Sequence, residues 1–264
     1  MKIGFIGFGN MAHAIANGII EHNLVEAKDI VAFDPYPNQV SEFKHKIMLS
    51  SSALQVMKET KFVFICVKPQ MLDEALAGLR GEITDDNIFI SIVAGVTVKR
   101  ISDLLETTRP IVRVMPNTPL MIGKGCTAVA RPEGISQSDY DFIFSVFNSI
   151  GYAFNLPEEK INEIIPINGS SPAAIYYFAK IFAENAEKDG IDFDEALKAF
   201  SYTLIGSAEM MLTSGRSVDE LITMVCSKGG TTLAMLDAFR ENGFDKAVAS
   251  GIDACVKRAY ELGK

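Results

Sequence analysis

The stretch "IGFIGFGNMA", residues 3–12, decides the fold. Ile3 to Ile6 read as a strand, and "NMAHAIANGIIEH" reads as a helix. Between them stands Gly7-Phe8-Gly9-Asn10-Met11-Ala12, a G-x-G-x-x-A pattern. A strand feeding a glycine turn at a helix start is the beginning of a doubly wound α/β sheet. The chemistry follows from the geometry. Gly7 permits the tight turn, Gly9 lets a pyrophosphate approach the backbone, and Ala12 allows close packing of helix on sheet. The first turn then offers free N–H groups to phosphate oxygens. Phe8, Asn10 and Met11 complete this loop and join Gly7 and Gly9 as candidate contacts of a dinucleotide.

Asp34 closes the next strand, "DIVAFD". A carboxylate there accepts hydrogen bonds from an adenosine ribose and repels a 2′-phosphate. No arginine stands beside it in "DPYPNQ", so NADH is favoured over NADPH. The other reading of Asp34 is a turn-forming residue before Pro35.

Further strands are "KFVFICV", "NIFISIVA", "PIVRVMP" and "GCTAVARP", with helical stretches between, among them "MLDEALAGLR" and "TVKRISDLLE". This alternation predicts βαβ units and a parallel sheet. The chain changes character near Pro157, and beyond it no strand is evident. "PAAIYYFAKIFAENAEKDG" predicts a helix ending at Gly190, and "DFDEALKAFSYTLIGSAEMMLTSG" one that starts at an Asp cap and ends at Gly215. Three more helices follow in "SVDELITMVCSK", "TTLAMLDAFRENG" and "DKAVASGIDACVKRAYELG". The expected organisation is a dinucleotide-binding domain over residues 1–157 and a helical domain over residues 158–264.

The composition narrows the function classes. The chain has 264 residues, 48% hydrophobic and 22% charged, with a formal net charge of -8. That balance argues against a broad basic face for nucleic acid. Cys66, Cys126, Cys226 and Cys255 are far apart and lack a metal-ligand spacing, so reduced thiols and no metal site are expected. The longest apolar runs, "FVFICV" and "IFISIVAGV", are too short to span a bilayer. No secretion signal follows the interrupted apolar start. A cytoplasmic protein without a membrane partner is expected.

Four stretches together carry a resemblance. They are "IGFIGFGNMA", "CVKPQ" (66–70), "SIVAGV…RVMPNTP" (91–119) and "VCSKGGTTL" (225–233), with "NGSSPAAIYYF" beside them. In this order, over essentially the whole chain, they resemble pyrroline-5-carboxylate reductase. The first is generic; "VKPQ", "RVMPNTP" and the Gly-Gly-Thr-Thr loop are more specific. The resemblance implies a Rossmann domain and a helical domain that builds an interlocked homodimer, sometimes a ring of dimers. It implies reduction of a small imino-acid substrate by NADPH or NADH. Val67, Lys68, Pro69 and Ala94 then line the nicotinamide half of the cofactor, with Asn117 close to the ring and Met115 and Pro116 shaping the wall. Ser227, Gly230, Thr231 and Thr232 meet the substrate.

Chemistry gives the last group a purpose. The substrate carries a carboxylate beside a cyclic imine. A carboxylate is well held by N–H groups at a helix start, aided by hydroxyls. Gly229 and Gly230 leave that backbone accessible, Ser227 and Thr231 complete the seat, and Thr232 reaches the imine nitrogen as the candidate catalytic residue. The competing reading is a glycine loop with a Thr N-cap.

The chain also departs from the family pattern. Lys228 stands where Pro is usual, Ser171 where Gly is usual and Ala174 where Tyr is common. Lys180 replaces an acidic residue, and Ser50 to Ser52 stand where an Asn often contacts adenosine. A β-hydroxyacid dehydrogenase of similar build is the nearest enzyme rival, but its catalytic Lys would fall at Ala174 to Tyr176. A cofactor-binding paralogue without turnover is another alternative. His13 is expected to pack or face solvent, and His22 and His45 to be solvated; none is a candidate catalyst.

Overall fold

The computed structural model describes residues 2–263. Eight strands form one sheet: β1 (Ile3–Ile6), β2 (Ile30–Phe33), β3 (Met48–Leu49), β4 (Phe62–Ile65), β5 (Ile88–Ser91), β6 (Ile111–Met115), β7 (Gly125–Ala130) and β8 (Gly151–Asn155). Among the described residues, twelve α-helices accompany them: α1 (Asn10–Glu21), α2 (Asn38–Ser41), α3 (Ala53–Glu59), α4 (Leu72–Leu76), α5 (Val98–Leu105), α6 (Gln137–Ser149), α7 (Ile161–Ile164), α8 (Ser171–Lys188), α9 (Phe193–Thr213), α10 (Val218–Val225), α11 (Thr231–Glu241) and α12 (Phe244–Leu262).

The strand order is β3-β2-β1-β4-β5-β6-β7-β8, whose first six members repeat the order of a Rossmann sheet. The α/β fold with a helical second part is the one the sequence predicts. Pairing is parallel from β3 to β6. β7 then runs antiparallel to β6, and β8 parallel to β7. The reversal has a local cause. Residues 116–124 join β6 to β7, fewer than the dozen or so that a parallel crossover requires. The helix α6 supplies such a crossover between β7 and β8. Neither the direction of β7 nor the strands β3 and β8 were apparent in the sequence.

β1, β4 and β5 are buried at every residue, as expected of central strands covered on both faces. Alternation sends Ile3, Phe5, Phe62, Phe64, Ile88 and Ile90 to one face and Ile6, Val63, Ile65 and Phe89 to the other. The rings of Phe5 and Phe64 stack at 4.9 Å. Truncating either to Ala costs about 3–5 kcal/mol.

The chain divides into two compact units. One runs to Pro172 and regains the chain from Cys255 onward; the other is Ala173–Ala254. In the first unit the end of α12 lies against the loop after β5. A Cβ on Gly95, where φ is +81°, would stand 2.4 Å from the Ala259 carbonyl oxygen. The Tyr260 hydroxyl donates to Glu163 Oε1 at 2.7 Å, and this bond holds the Glu163 carboxyl below its usual range.

The second unit contains the aromatic cluster Phe178, Phe182, Phe200, Phe239 and Phe244. Its helix starts follow the sequence. Asp192 Oδ1 caps α9 by accepting from the Glu195 N–H, and Ser217 with Glu220 forms a capping box on α10. Among the described residues, no helix is long and apolar enough to cross a membrane.

Candidate active site

The candidate cofactor residues share one rim, the C-terminal ends of β1, β2, β4, β5 and β6, where open α/β sheets bind ligands. Gly7 follows β1, Asp34 follows β2, Val67 to Pro69 follow β4, Ala94 follows β5 and Asn117 follows β6. The two loop glycines have different tasks. Gly7 has φ +84°, and a Cβ there would lie 2.9 Å from both the Cys66 carbonyl oxygen and Val67 Cγ1. Its small size serves the protein's own packing. Gly9 has an ordinary extended φ of -84°, and a Cβ there would meet nothing within 4 Å. The space over Gly9 is thus open for a ligand to approach the backbone.

Gly9 is also the N-cap of α1, with no side chain bonded to the helix start and no acidic residue in the first turn. The contrast with other helices is informative. Among the described helices of eight or more residues, α5, α6, α9 and α10 begin with a Ser, Thr or Asp side chain accepting a backbone N–H. α1 and α11, the two helices that open on glycine motifs, begin on glycine without one. Their first-turn N–H groups have no side-chain cap.

Asp34 forms the turn that its other sequence reading expected, and it also makes a longer-range bond that the sequence did not reveal. Its Oδ2 accepts the Phe8 N–H at 2.7 Å, and its Oδ1 accepts the Tyr36 N–H at 2.9 Å. The carboxylate thereby ties the glycine loop after β1 to the end of β2. Each oxygen keeps further lone-pair capacity for a ribose hydroxyl.

An apolar cavity of about 410 Å³ opens beside it, lined by Ile6, Gly7, Phe33, Pro35, Leu54, Val67, Met71 and Gly78 among others. Leu54, Met71 and Gly78 were not singled out from the sequence. Apolar residues after strand ends carry no mark that separates lining from core. Ser52 also borders the cavity, but its hydroxyl accepts the Gln55 N–H at 3.2 Å and caps α3. Ser50 is buried and donates to the Ser52 carbonyl at 3.0 Å.

The remaining positions differ in exposure. Lys68 is exposed, while Val67, Pro69 and Ala94 are half-buried. Asn117 is buried, and its Oδ1 accepts the Cys126 N–H at 2.8 Å. Burial pushes the Cys66 thiol well above its ordinary range. The histidines stand apart from this chemistry. His13 Nε2 donates to the Gln39 carbonyl at 2.6 Å, and its ring packs on Phe8 and Phe43. His45 is not solvated as the sequence suggests. Its half-buried ring lies 5.5 Å from that of Phe43, and its Nε2 is enclosed.

In the second unit, the Gly230 N–H donates to the Ser227 carbonyl at 2.9 Å, closing a turn. Gly229 sits third in it with φ +72°, the position that favours glycine. Lys228 is second and exposed, where proline also fits. The N-cap of α11 is Gly230. Thr231 and Thr232 therefore occupy the first two helical positions rather than the cap. A Cβ on Gly230 would lie 2.4 Å from Ser227 Oγ, so that hydroxyl rests over the helix start. Thr231 is exposed and Thr232 half-buried.

Comparison with known proteins accords with this geometry. Residues 158–262 match the family described as pyrroline-5-carboxylate reductase dimerisation, and residues 2–95 match the one described as NADP oxidoreductase, coenzyme F420-dependent. The chain is 32% identical over 265 residues to pyrroline-5-carboxylate reductase of Escherichia coli strain K12, covering 100% of this chain and 98% of the relative. It is 33% identical over 266 residues to the enzyme of that name from Methanosarcina acetivorans, with the same coverage. The chain belongs to the pyrroline-5-carboxylate reductase family. Among solved structures, the Plasmodium falciparum pyrroline carboxylate reductase with NADP bound matches with a TM-score of 0.91 and 25% identity, over 100% of this chain and 98% of that one. Membership of the reductase family excludes the hydroxyacid dehydrogenase rival.

Proposed function

We propose that this chain reduces 1-pyrroline-5-carboxylate to L-proline, the closing step of proline biosynthesis, with NADH or NADPH. The observation that carries the reading is the pair of helix starts, α1 and α11, that begin on glycine with no side chain hydrogen-bonded to them. One suits a pyrophosphate and the other a substrate carboxylate. The cofactor, when bound, supplies the hydride that adds to the imine carbon.

The residues of the chain bind and orient. Gly7, Phe8, Gly9, Asn10 and Met11 present the loop and first turn of α1 to the phosphates. Asp34 accepts from the ribose, and its negative charge favours NADH. Val67, Lys68, Pro69, Ala94 and Asn117 place the nicotinamide half. Ser227, Gly229, Gly230 and Thr231 seat the carboxylate, and Thr232 bonds the imine nitrogen. The imine binds already protonated. Addition of hydride to carbon then leaves the proton on nitrogen, and no side chain has to deliver one. Positioning the reacting carbon is the main contribution of the protein.

The chain works as a homo-oligomer, and we assign a dimer through its helical part. No residue of α9, α10 or α11 is buried, yet Tyr202, Ile205, Met211 and Leu212 are over half exposed, Leu212 by 85%. An apolar groove of about 380 Å³ between Met210, Met211, Val218 and Ile222 continues this surface. Helices this apolar need a partner. The four unpaired thiols suit the reducing cytoplasm.

The test is oxidation of NADH and of NADPH in the presence of 1-pyrroline-5-carboxylate and, separately, its six-membered homologue. Turnover of the five-membered imine supports the proposal. Turnover of the six-membered imine alone moves the substrate assignment. Cofactor binding without turnover of either makes the chain a cofactor-binding paralogue.

A further inference from the structure

β6 stops pairing early. Its last partners are Met115 and Ala128. Continued in register, the ladder would set Asn117 against Cys126, but Pro116 intervenes and the chain turns into a short 3₁₀ helix, Thr118–Ile122. Side-chain carboxamides take over at that point. Asn117 Oδ1 accepts the Cys126 N–H at 2.8 Å. Asn168 Nδ2 donates both to the Met115 carbonyl at 2.7 Å and to the Cys126 carbonyl at 3.2 Å. Two carbonyl acceptors can be met only by the NH₂ end, so the amide orientation is fixed by its neighbours.

Asn168 reaches this place because the helix widens. Residues Ile165–Gly169 form a π-helical turn, in which the Ser170 N–H donates five residues back to the Ile165 carbonyl at 2.8 Å. Such turns are uncommon and often serve function. The turn presses on the β6 exit, since a Cβ on Gly169 would lie 2.5 Å from Met115 Cε. Asn168 is 3% exposed, and its Oδ1 is buried without a partner. A buried orphan acceptor is costly, and departures of this kind gather at functional sites.

We infer that Asn168 is a positioning residue for the reduction: by bridging Met115 and Cys126 it fixes where Pro116 and Asn117 leave the sheet. The inference rests on the proposed placement of the nicotinamide beside Ala94 and Asn117. Asn168 touches neither reactant. It acts through Asn117 and the Met115–Pro116 wall. Displacement of the nicotinamide wall by about 1 Å is enough to lower hydride transfer roughly a hundredfold.

The experiment compares wild type, Asn168→Ala and Asn168→Asp with Val129→Ala. Val129 is fully buried on β7, so Val129→Ala loosens the same strand outside the carboxamide bridge. Wild-type turnover is measured first. Its absence refutes the proposed activity, whereas turnover with unaltered Asn168 variants refutes only this inference. The expected result for Asn168→Ala is a kcat lowered about 10- to 100-fold, with both KM values within about threefold. The primary isotope effect from 4-deuterated reduced cofactor should rise as hydride transfer becomes limiting. Asn168→Asp should be worse, because it turns an acceptor toward two carbonyls. Val129→Ala should lose thermal stability and keep its kcat and isotope effect. A kcat within twofold of wild type in folded Asn168→Ala, or an equal loss in Val129→Ala, overturns the proposal. If Asn168→Ala does not fold, Asn168→Ser, which retains one donor, should show an intermediate kcat. Failure of that variant to fold as well makes the role structural and overturns the proposal too.

Discussion

Replacing the two loop glycines one at a time should separate folding from cofactor binding. At Gly7 an alanine must adopt φ +84°, which costs about 1–2 kcal/mol for a residue with a Cβ. That Cβ also meets the Cys66 carbonyl oxygen and Val67 Cγ1 at 2.9 Å, so the end of β4 must shift. A total near 2–3 kcal/mol at about 2–4 °C per kcal/mol lowers the Tm by about 4–12 °C. At Gly9 the backbone already suits alanine, with φ -84° and ψ -168°, and no atom lies within 4 Å of the new Cβ. Stability should stay level or rise by about 0.4–1 kcal/mol, because the unfolded chain loses freedom. In the proposed site the methyl group instead stands where the pyrophosphate approaches. Losing one charge-assisted hydrogen bond costs about 1.5–3 kcal/mol, a weakening of roughly tenfold to a hundredfold. The assay is thermal unfolding at one fixed protein concentration, with calorimetric titration of NADH and NADPH into each variant. Wild-type affinity in Gly9→Ala would refute the assignment of Gly9. A Tm loss in Gly9→Ala equal to that in Gly7→Ala would refute the division of labour between them.

Asp34→Ser should shift the NADH:NADPH preference toward NADPH and, by removing the acceptor of the Phe8 N–H, weaken both cofactors about tenfold; an unchanged ratio in binding titrations would show that Asp34 does not read the ribose. Leu212→Glu should lower the assembly state seen by sedimentation, because it places a charge on an apolar surface that needs a partner; an active wild-type monomer at dilute concentration would refute the dimer. Thr232→Ala should reduce kcat/KM about tenfold to a hundredfold without altering cofactor affinity, while Ser227→Ala should raise KM for the imine and leave kcat nearly unchanged. Unchanged kinetics in both would leave the α11 start without a substrate role.

Much of the local backbone at the candidate site was legible because its cues are local. A strand, two glycines and a helix within ten residues state a strand–turn–helix unit, and the loop at Ser227 to Thr232 states a helix start. The contrasting roles of Gly7 and Gly9 were not legible in full, since they depend on what stands across from each: Cys66 and Val67 in one case, nothing in the other. The N-cap of α11 likewise fell on Gly230 and not on a threonine, which leaves the hydroxyls free of capping.

By itself the sequence determined the strand-helix alternation, the buried central strands and most helix ends, such as the Asp192 and Ser217 caps. These follow from side-chain periodicity and from hydrogen bonds spanning three or four residues. Only the tertiary structure decided the reversal of β7, the added strands β3 and β8, and the return of α12 to Gly95 and Glu163. It alone brought Asn168 to Met115 and Cys126, and Asp34 to the Phe8 N–H. The physical reason is range. Propensity, capping and periodicity act between neighbours in the chain. A carboxamide that completes a strand fifty-three residues away is placed by packing, after every local choice has been made.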